Sequence, residues 1–320
     1  MTDLLELALF SAVVIGALAW LVVAVVAPRR RPAQGSPVAR TFLARAWLYA
    51  PVWVPLVVVA AALMPGVAGA LGLLPGDHCL SHPASHHHLC VAHPPEEAGI
   101  WMTWALPLGA LGVALAGLVV CGRRAWQQWR LARVLIQLSE PSSFGPDVRL
   151  IDQDAPLAVT LGLLRPTVLL STGLLSRTSP GALDVVLAHE RAHVARRDTL
   201  LSFLDQFAAA LFPARVVGRL LADLTLAREQ ACDAVAARST GRARVAAALA
   251  EVASLNMVTP AVGLSIAAGA LEARVMHLLY PPAPTWRWVL APATVLVTLV
   301  AAGVGPGHSV IEFLLTFLLH

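Results

Sequence analysis

The residues best suited to chemistry are the five from His189 through Glu190, Arg191 and Ala192 to His193. Two histidines at i and i+4 leave one helical face about a turn apart, so both imidazoles can reach one ion. Glu190 follows the first of them and leans over the open side of such an ion, where it can accept a proton from a water. Zinc suits this set, because it lowers the pKa of a bound water from 15.7 to about 7 and so gives a nucleophile at neutral pH. The five-residue pattern is moderately specific by itself, and a third ligand strengthens it. Further along, in the run Arg228-Glu229-Gln230-Ala231-Cys232-Asp233, Glu229 completes a set of two histidines and a carboxylate, with water in the fourth position. Asp233 lies one turn beyond on the same face and can accept a hydrogen bond from the second nitrogen of His189 or His193, fixing its tautomer. The plainer alternative for Glu229 and Asp233 is a pair of solvated carboxylates beside Arg228.

These side chains need rigid carriers. Ser179-Pro180-Gly181-Ala182 reads as an N-cap with proline at the first helical position, opening the helix that carries both histidines. A second helix over 220–238 carries Glu229 and Asp233. Before them, 148–151, 158–161 and 167–171 are short runs rich in Val, Leu and Thr, broken by Pro and Gly, and read as strands. The apolar segment 200–213 is too short to span a bilayer and is interrupted by Asp205. It reads as a core helix or one packed against membrane helices, with a half-inserted segment as the alternative.

The remainder of the chain belongs to a membrane. Of 320 residues, 58% are hydrophobic and 13% charged, against about 45–50% and about 25% in an ordinary globular domain. With a mean hydropathy of +0.71, a disordered tail and a purely cytosolic enzyme are excluded. Four cysteines are too few for a disulfide-built scaffold. Residues 7–27, 46–76, 98–122 and 288–304 are each apolar over roughly the 20 residues that a span needs, the second interrupted by Pro51, Pro55 and Pro65. The first reads as a retained helix, since Met1 to Glu6 lack a positive n-region and arginines follow the apolar run.

All 23 basic residues are arginine. Arg29, Arg30, Arg31, Arg40 and Arg45 lie between the first two runs and the other eighteen between the third and fourth. The positive-inside rule puts both segments in the cytoplasm, with the N-terminus, the 77–97 loop and the C-terminus outside. Trp47, Trp53, Trp101, Trp104, Trp126, Trp129, Trp286 and Trp288 fall near span ends, as interfacial anchors do. Topology thus accounts for the net charge of +4, and without a DNA-binding motif no direct nucleic-acid partner is expected. In the outer loop, Cys79 and Cys90 could form a disulfide, and His86 to His88 could bind metal or sense pH. A solvated connector is the plainer reading there. Cys121 and Cys232 read as reduced and structural.

The run from Ala188 to Asp198 resembles the active-site helix of the BlaR/MecR-type membrane metalloproteases. Arg228 to Asp233 is similar to their third-ligand helix, and Gly162 to Ser171 to the strand segment before the catalytic helix. The likeness covers about 125–280, and three spans, a protease segment and a fourth span fit the same arrangement. The fold it implies is mainly α: four transmembrane helices plus a cytoplasmic α+β gluzincin-type zinc protease domain with a small sheet. The expected boundaries are 1–121 for three transmembrane helices with short loops, 122–285 for the protease domain, and 286–320 for the fourth helix and outer tail.

The resemblance also implies a function. His189, His193 and Glu229 would hold Zn2+, with Glu190 as the base and Asp233 in support. A membrane-embedded endopeptidase would cleave a cytoplasmic transcriptional repressor, and itself as an open alternative, in a β-lactam or cell-wall stress pathway. The expected departure is that no penicillin-binding sensor domain follows the last span, which leaves the stimulus open. Expected partners are the repressor as substrate and the lipid bilayer, with a homodimer left open. Zincins hold an extended peptide against an edge strand, and 167–171 is the expected edge, the alternative being an ordinary core strand. His277 and several arginines are candidates for stabilising the oxyanion, with a core or interface role for His277 as the plainer reading. Two other functions stay open: a housekeeping membrane protease of the HtpX or prenyl-protease type, and a non-catalytic membrane sensor.

Overall fold

The first apolar run forms helix α1 (Thr2–Val26), followed by a single 3-10 turn (Ala27–Arg29). The computed structural model describes residues 2–29, 35–72, 100–256 and 264–281. The expected fourth span, the outer loop with Cys79, Cys90 and His86 to His88, and the C-terminal tail lie outside the described residues. Helix α2 (Pro37–Leu48) opens at Ser36, whose hydroxyl accepts a hydrogen bond from the Ala39 amide at 3.3 Å, with Pro37 at its first position. The chain then bends by 74° into α3 (Ala50–Ala70). The 46–76 run is therefore not one straight span. Its first residues end α2, whose arginines are engaged elsewhere in the fold, and α3 starts only after Tyr49.

Helix α4 (Ile100–Gln137) continues without a break through the boundary expected at 121/122. Among the described residues, Leu7–Arg29 and Pro107–Gln137 are long and apolar enough to cross a membrane, and the bent α2–α3 pair would make a third span.

Four strands follow: β1 (Glu140–Ser142), β2 (Gly145–Ile151), β3 (Ala158–Leu161) and β4 (Thr167–Ser171), in the order β1-β2-β4-β3. β2 and β4 are parallel and the other pairs antiparallel. The three expected strands are present, and β1 is an addition paired to β2. The edge assignment needs correction: Thr167–Ser171 lies between β2 and β3, with Val168, Leu169 and Leu170 buried. A near-continuous apolar run suits a strand covered on both faces, whereas the edges are the three-residue β1 and half-buried β3. Gly162 turns β3 back towards β4 at φ +97°, and a Cβ there would stand 2.5 Å from the Arg165 carbonyl oxygen.

The chain then forms α5 (Thr172–Arg177), α6 (Pro180–Arg196), α7 (Asp198–Ala209), α8 (Ala214–Thr240), α9 (Arg242–Asn256) and α10 (Leu264–Leu279). Helix α6 starts where expected, with the Ser179 hydroxyl accepting from the Ala182 amide at 3.3 Å. One side of it buries Leu187 against Val148, Val168, Leu170 and Leu174 of the sheet region. On its other side, Ala182 and Val185 meet Ala236, Val245 and Leu278 from α8, α9 and α10.

A third cluster joins the two halves of the chain. Val23 and Ala27, Ala44 and Leu48 pack with Ala208, Phe212, Val217, Leu220 and Leu224. Trp20 stacks on Phe212 with ring centroids 5.7 Å apart, and its indole N–H donates to the Leu211 carbonyl at 2.9 Å. Each fully buried side chain of this size contributes about 1.5–3 kcal/mol. Helix α7 is thus the core helix expected at 200–213, packed against membrane helices. Its Asp205 is buried beneath Arg45 at 3.0 Å, Arg228 at 2.8 Å and the Tyr49 hydroxyl at 3.1 Å. Arg40 pairs with Asp223 and donates to the Gln230 side-chain oxygen at 2.5 Å.

Candidate metal centre

The 3.6-residue period places His189 and His193 on one face of α6, with their Nε2 atoms 3.2 Å apart. Helix α8 crosses that face and delivers Glu229. Its Oε2 lies 3.3 Å from His189 Nε2 and its Oε1 3.5 Å from His193 Nε2. The three donors, taken one atom each, lie within 4.8 Å of one another. Donors held at about 2.0–2.1 Å around a tetrahedral ion stand about 3.3 Å apart, so the residues present fit a small divalent ion. The three expected ligands are therefore brought together.

Each imidazole is backed by its own carboxylate. His189 Nδ1 is 2.9 Å from Asp233 Oδ1, a close ion pair without an aligned hydrogen bond. Asp233 is fully enclosed, so its place is behind His189, away from any substrate. His193 Nδ1 lies 2.9 Å from Asp198 Oδ2. When Nε2 faces an ion, Nδ1 carries the proton and donates to that carboxylate. Arg196 Nε at 3.2 Å and the Cys232 thiol at 3.4 Å converge on the same Asp198 oxygen. His193, Asp198 and Cys232 also form a compact donor group, but with the Nδ1 proton in place it orients His193 and offers no second ion a lone pair there.

Asp198 reaches back because Arg197, between α6 and α7, adopts the left-handed conformation at φ 53°, the one non-glycine residue with positive φ among the described residues. Asp198 belongs to the same run as the histidines, yet its role depends on that turn, which no local pattern announces. Thr160 is a second residue beyond the sequence reading. Its hydroxyl donates to Glu190 Oε2 at 2.7 Å, tying the buried Glu190 to the edge strand β3. Arg274 of α10 is a third, separated by 41 residues from the Asp233 it binds. His277 is half-buried near Arg40, Asp233 and Arg242, and burial lowers its pKa.

The electrostatics follow from these contacts. Burial works against a charged His189, but Asp233 and Glu229 outweigh it and raise its pKa to about 9. Burial also opposes ionised carboxylates, yet both are held below their ordinary values: Glu229 by His189 and Arg274, Asp233 by Arg274 and His189. Asp198 is lowered in the same way by His193 and Arg196. Burial, with Asp198 beside it, pushes the Cys232 thiol up, so this cysteine is a buried donor and not a nucleophile.

The sequence family described as BlaR1 peptidase M56 matches residues 101–278. The Protease HtpX of Thioalkalivibrio sulfidiphilus (strain HL-EbGR7) is 33% identical over 113 residues, 34% of this chain and 38% of that protein. The Protease HtpX of Psychrobacter sp. (strain PRwf-1) is 35% identical over 101 residues, 30% of this chain and 33% of that protein. The matched region thus spans less than half the length of either relative. No solved structure matches.

Proposed function

The chain belongs to the BlaR1 peptidase M56 family, and from that premise we propose that it is a membrane-embedded zinc endopeptidase that cuts a cytoplasmic transcriptional repressor. The observation carrying the proposal is the spacing of 3.2, 3.3 and 3.5 Å among the facing atoms of His189, His193 and Glu229. When bound, zinc would polarise the scissile carbonyl and acidify a water. Glu190 is the base: Thr160 engages its Oε2, leaving Oε1 to take the water's proton and return it to the leaving amine. Asp233 and Asp198 keep both imidazoles turned inward. The edge strand β3 offers main-chain hydrogen bonds to an extended substrate, next to the residue that holds the base.

We place four spans in the membrane, with both termini outside and residues 122–285 as the cytoplasmic protease region. Three observations support this side assignment. Arg40 and Arg45, from the arginine segment between the first two spans, pack directly on α8 and α7, so both arginine-bearing segments share one side. Trp126 and Trp129 are exposed and stacked at 4.8 Å where α4 would leave the bilayer. Arg133 lies 4.2 Å over the Trp129 ring.

The test is to purify the full chain with zinc in lipid nanodiscs, wild type and Glu190→Gln, and incubate each with repressor proteins and an unfolded membrane protein. New termini are mapped by mass spectrometry. The expected result is one discrete cut in one repressor by the wild type. Glu190→Gln should keep its zinc and cut at least about 100-fold more slowly, the usual scale for losing a general base. Undiminished turnover by that variant overturns the assignment. The likeness to two HtpX proteases favours a second reading, a membrane quality-control protease, which indiscriminate cutting of the unfolded protein would establish.

A further inference from the structure

Arg274 is the charged group of α10 that reaches into the centre from outside both ligand-bearing helices. Its Nε and one terminal nitrogen donate to the two oxygens of Asp233 at 2.8 and 2.7 Å. Its remaining nitrogen stands 3.2 Å from Glu229 Oε2. One planar guanidinium therefore spans two carboxylates that lie one turn apart on α8. Without it those acids would repel each other, and Asp233, fully enclosed, would be a buried charge facing only His189.

The clamp is itself anchored. Gln230 Nε2 donates to the Ala273 carbonyl at 3.0 Å, fixing the α10 backbone next to Arg274, while Gln230 Oε1 accepts from Arg40. The residue beside the third ligand thus ties α8 to α10 and to α2 at once. Because Arg274 fills both Asp233 oxygens from one side, that carboxylate can face His189 in one orientation only. Its contact with Glu229 Oε2 likewise limits the rotation of the carboxylate between the two imidazoles. A lysine ammonium cannot make three such contacts in one plane.

From this geometry we infer that Arg274 is a positioning residue of the metal centre: it sets Glu229 directly, and His189 through Asp233, in the arrangement that takes up the ion. The inference rests on the zinc reading above. It is tested on the full chain in detergent micelles, stripped with a chelator and titrated with zinc against a chromophoric competitor. Visible absorption of the Co2+-loaded protein and thermal melting of the ion-free protein accompany the titration. Wild type should bind one ion. Arg274→Lys and Arg274→Gln should bind roughly 10–100-fold more weakly, the usual scale for losing a group behind a metal ligand. Their cobalt bands should be altered, with the lysine variant the milder of the two.

A purely structural arginine would lower the melting temperature and leave ion affinity and the cobalt spectrum of the folded protein unchanged. Arg274→Lys with wild-type affinity and spectrum overturns the inference, whether or not Arg274→Gln folds. If the wild type itself takes up no zinc, the zinc reading falls and this inference falls with it. Equal affinity in wild type and lysine variant removes the inference alone.

Discussion

At the scale of single residues, the centre is a set of imidazoles each held between an ion-facing nitrogen and a buried acid. Without an ion, that arrangement stores a proton on His189, whose pKa stands at about 9 against about 6.5 for an ordinary histidine. The sign follows from linkage. A folded-state value above the unfolded one stabilises fully below about pH 6.5, and this contribution is lost as pH rises through about 9. Melts of chelator-treated protein should therefore fall in midpoint across that window. The stabilisation given by added zinc should grow over the same window, because the ion no longer has to displace the proton. A midpoint that rises with pH in the ion-free protein would contradict the charge assignment. His189, Glu190 and His193 are legible in the sequence because helical period decides which side chains share a face, and Glu229 because it follows on a second helix in a run similar to the family's third-ligand helix. Asp198, Thr160 and Arg274 are not, since each arrives through a turn, a sheet edge or a distant helix.

At the scale of elements, the junction between α6 and α7 carries the sharpest local constraint. Arg197 sits at φ 53° so that Asp198 can turn back onto His193. Left-handed backbone costs a non-glycine residue roughly 1–2 kcal/mol, and a β-branched one more. Arg197→Gly should leave the melting midpoint level or raise it, while Arg197→Val should lower stability by about 1–3 kcal/mol in denaturant titrations. Equal effects of both would mean that the turn is not strained. The N-cap at Ser179 and three of the strands are readable in the sequence because their signals are local. Strand order is not local. The expected edge at 167–171 is internal because β2 pairs with it from earlier in the chain, although its unbroken apolar run fits a strand covered on both faces. The bend at Tyr49 falls just before Pro51 inside an uncharged run that reads as one span, and α2 is held to α7 and α8 through Arg45 and Arg40.

At the scale of the whole molecule, the family resemblance begins at residue 101, but the fold around the site does not. Expressing 100–281 alone removes Val23, Ala27, Ala44 and Leu48 from the cluster beneath α7 and α8, and leaves Asp205 with one of its two arginines. Asp205 keeps Arg228, so the larger loss is apolar burial, about 1.5–3 kcal/mol for each fully buried valine or leucine removed. The fragment should elute as aggregate in size-exclusion chromatography and melt without a cooperative transition, and a monomeric, cooperatively melting fragment would refute the shared core. The Trp20–Phe212 stack makes the same junction from the other side, a bilayer-facing helix locked into the floor beneath the metal ligands. Swapping the surrounding amphiphile, or thinning the lipid, therefore touches more than solubility: it acts on a helix whose Val23 and Ala27 share one packed cluster with Leu220 and Leu224 of the helix that carries Glu229.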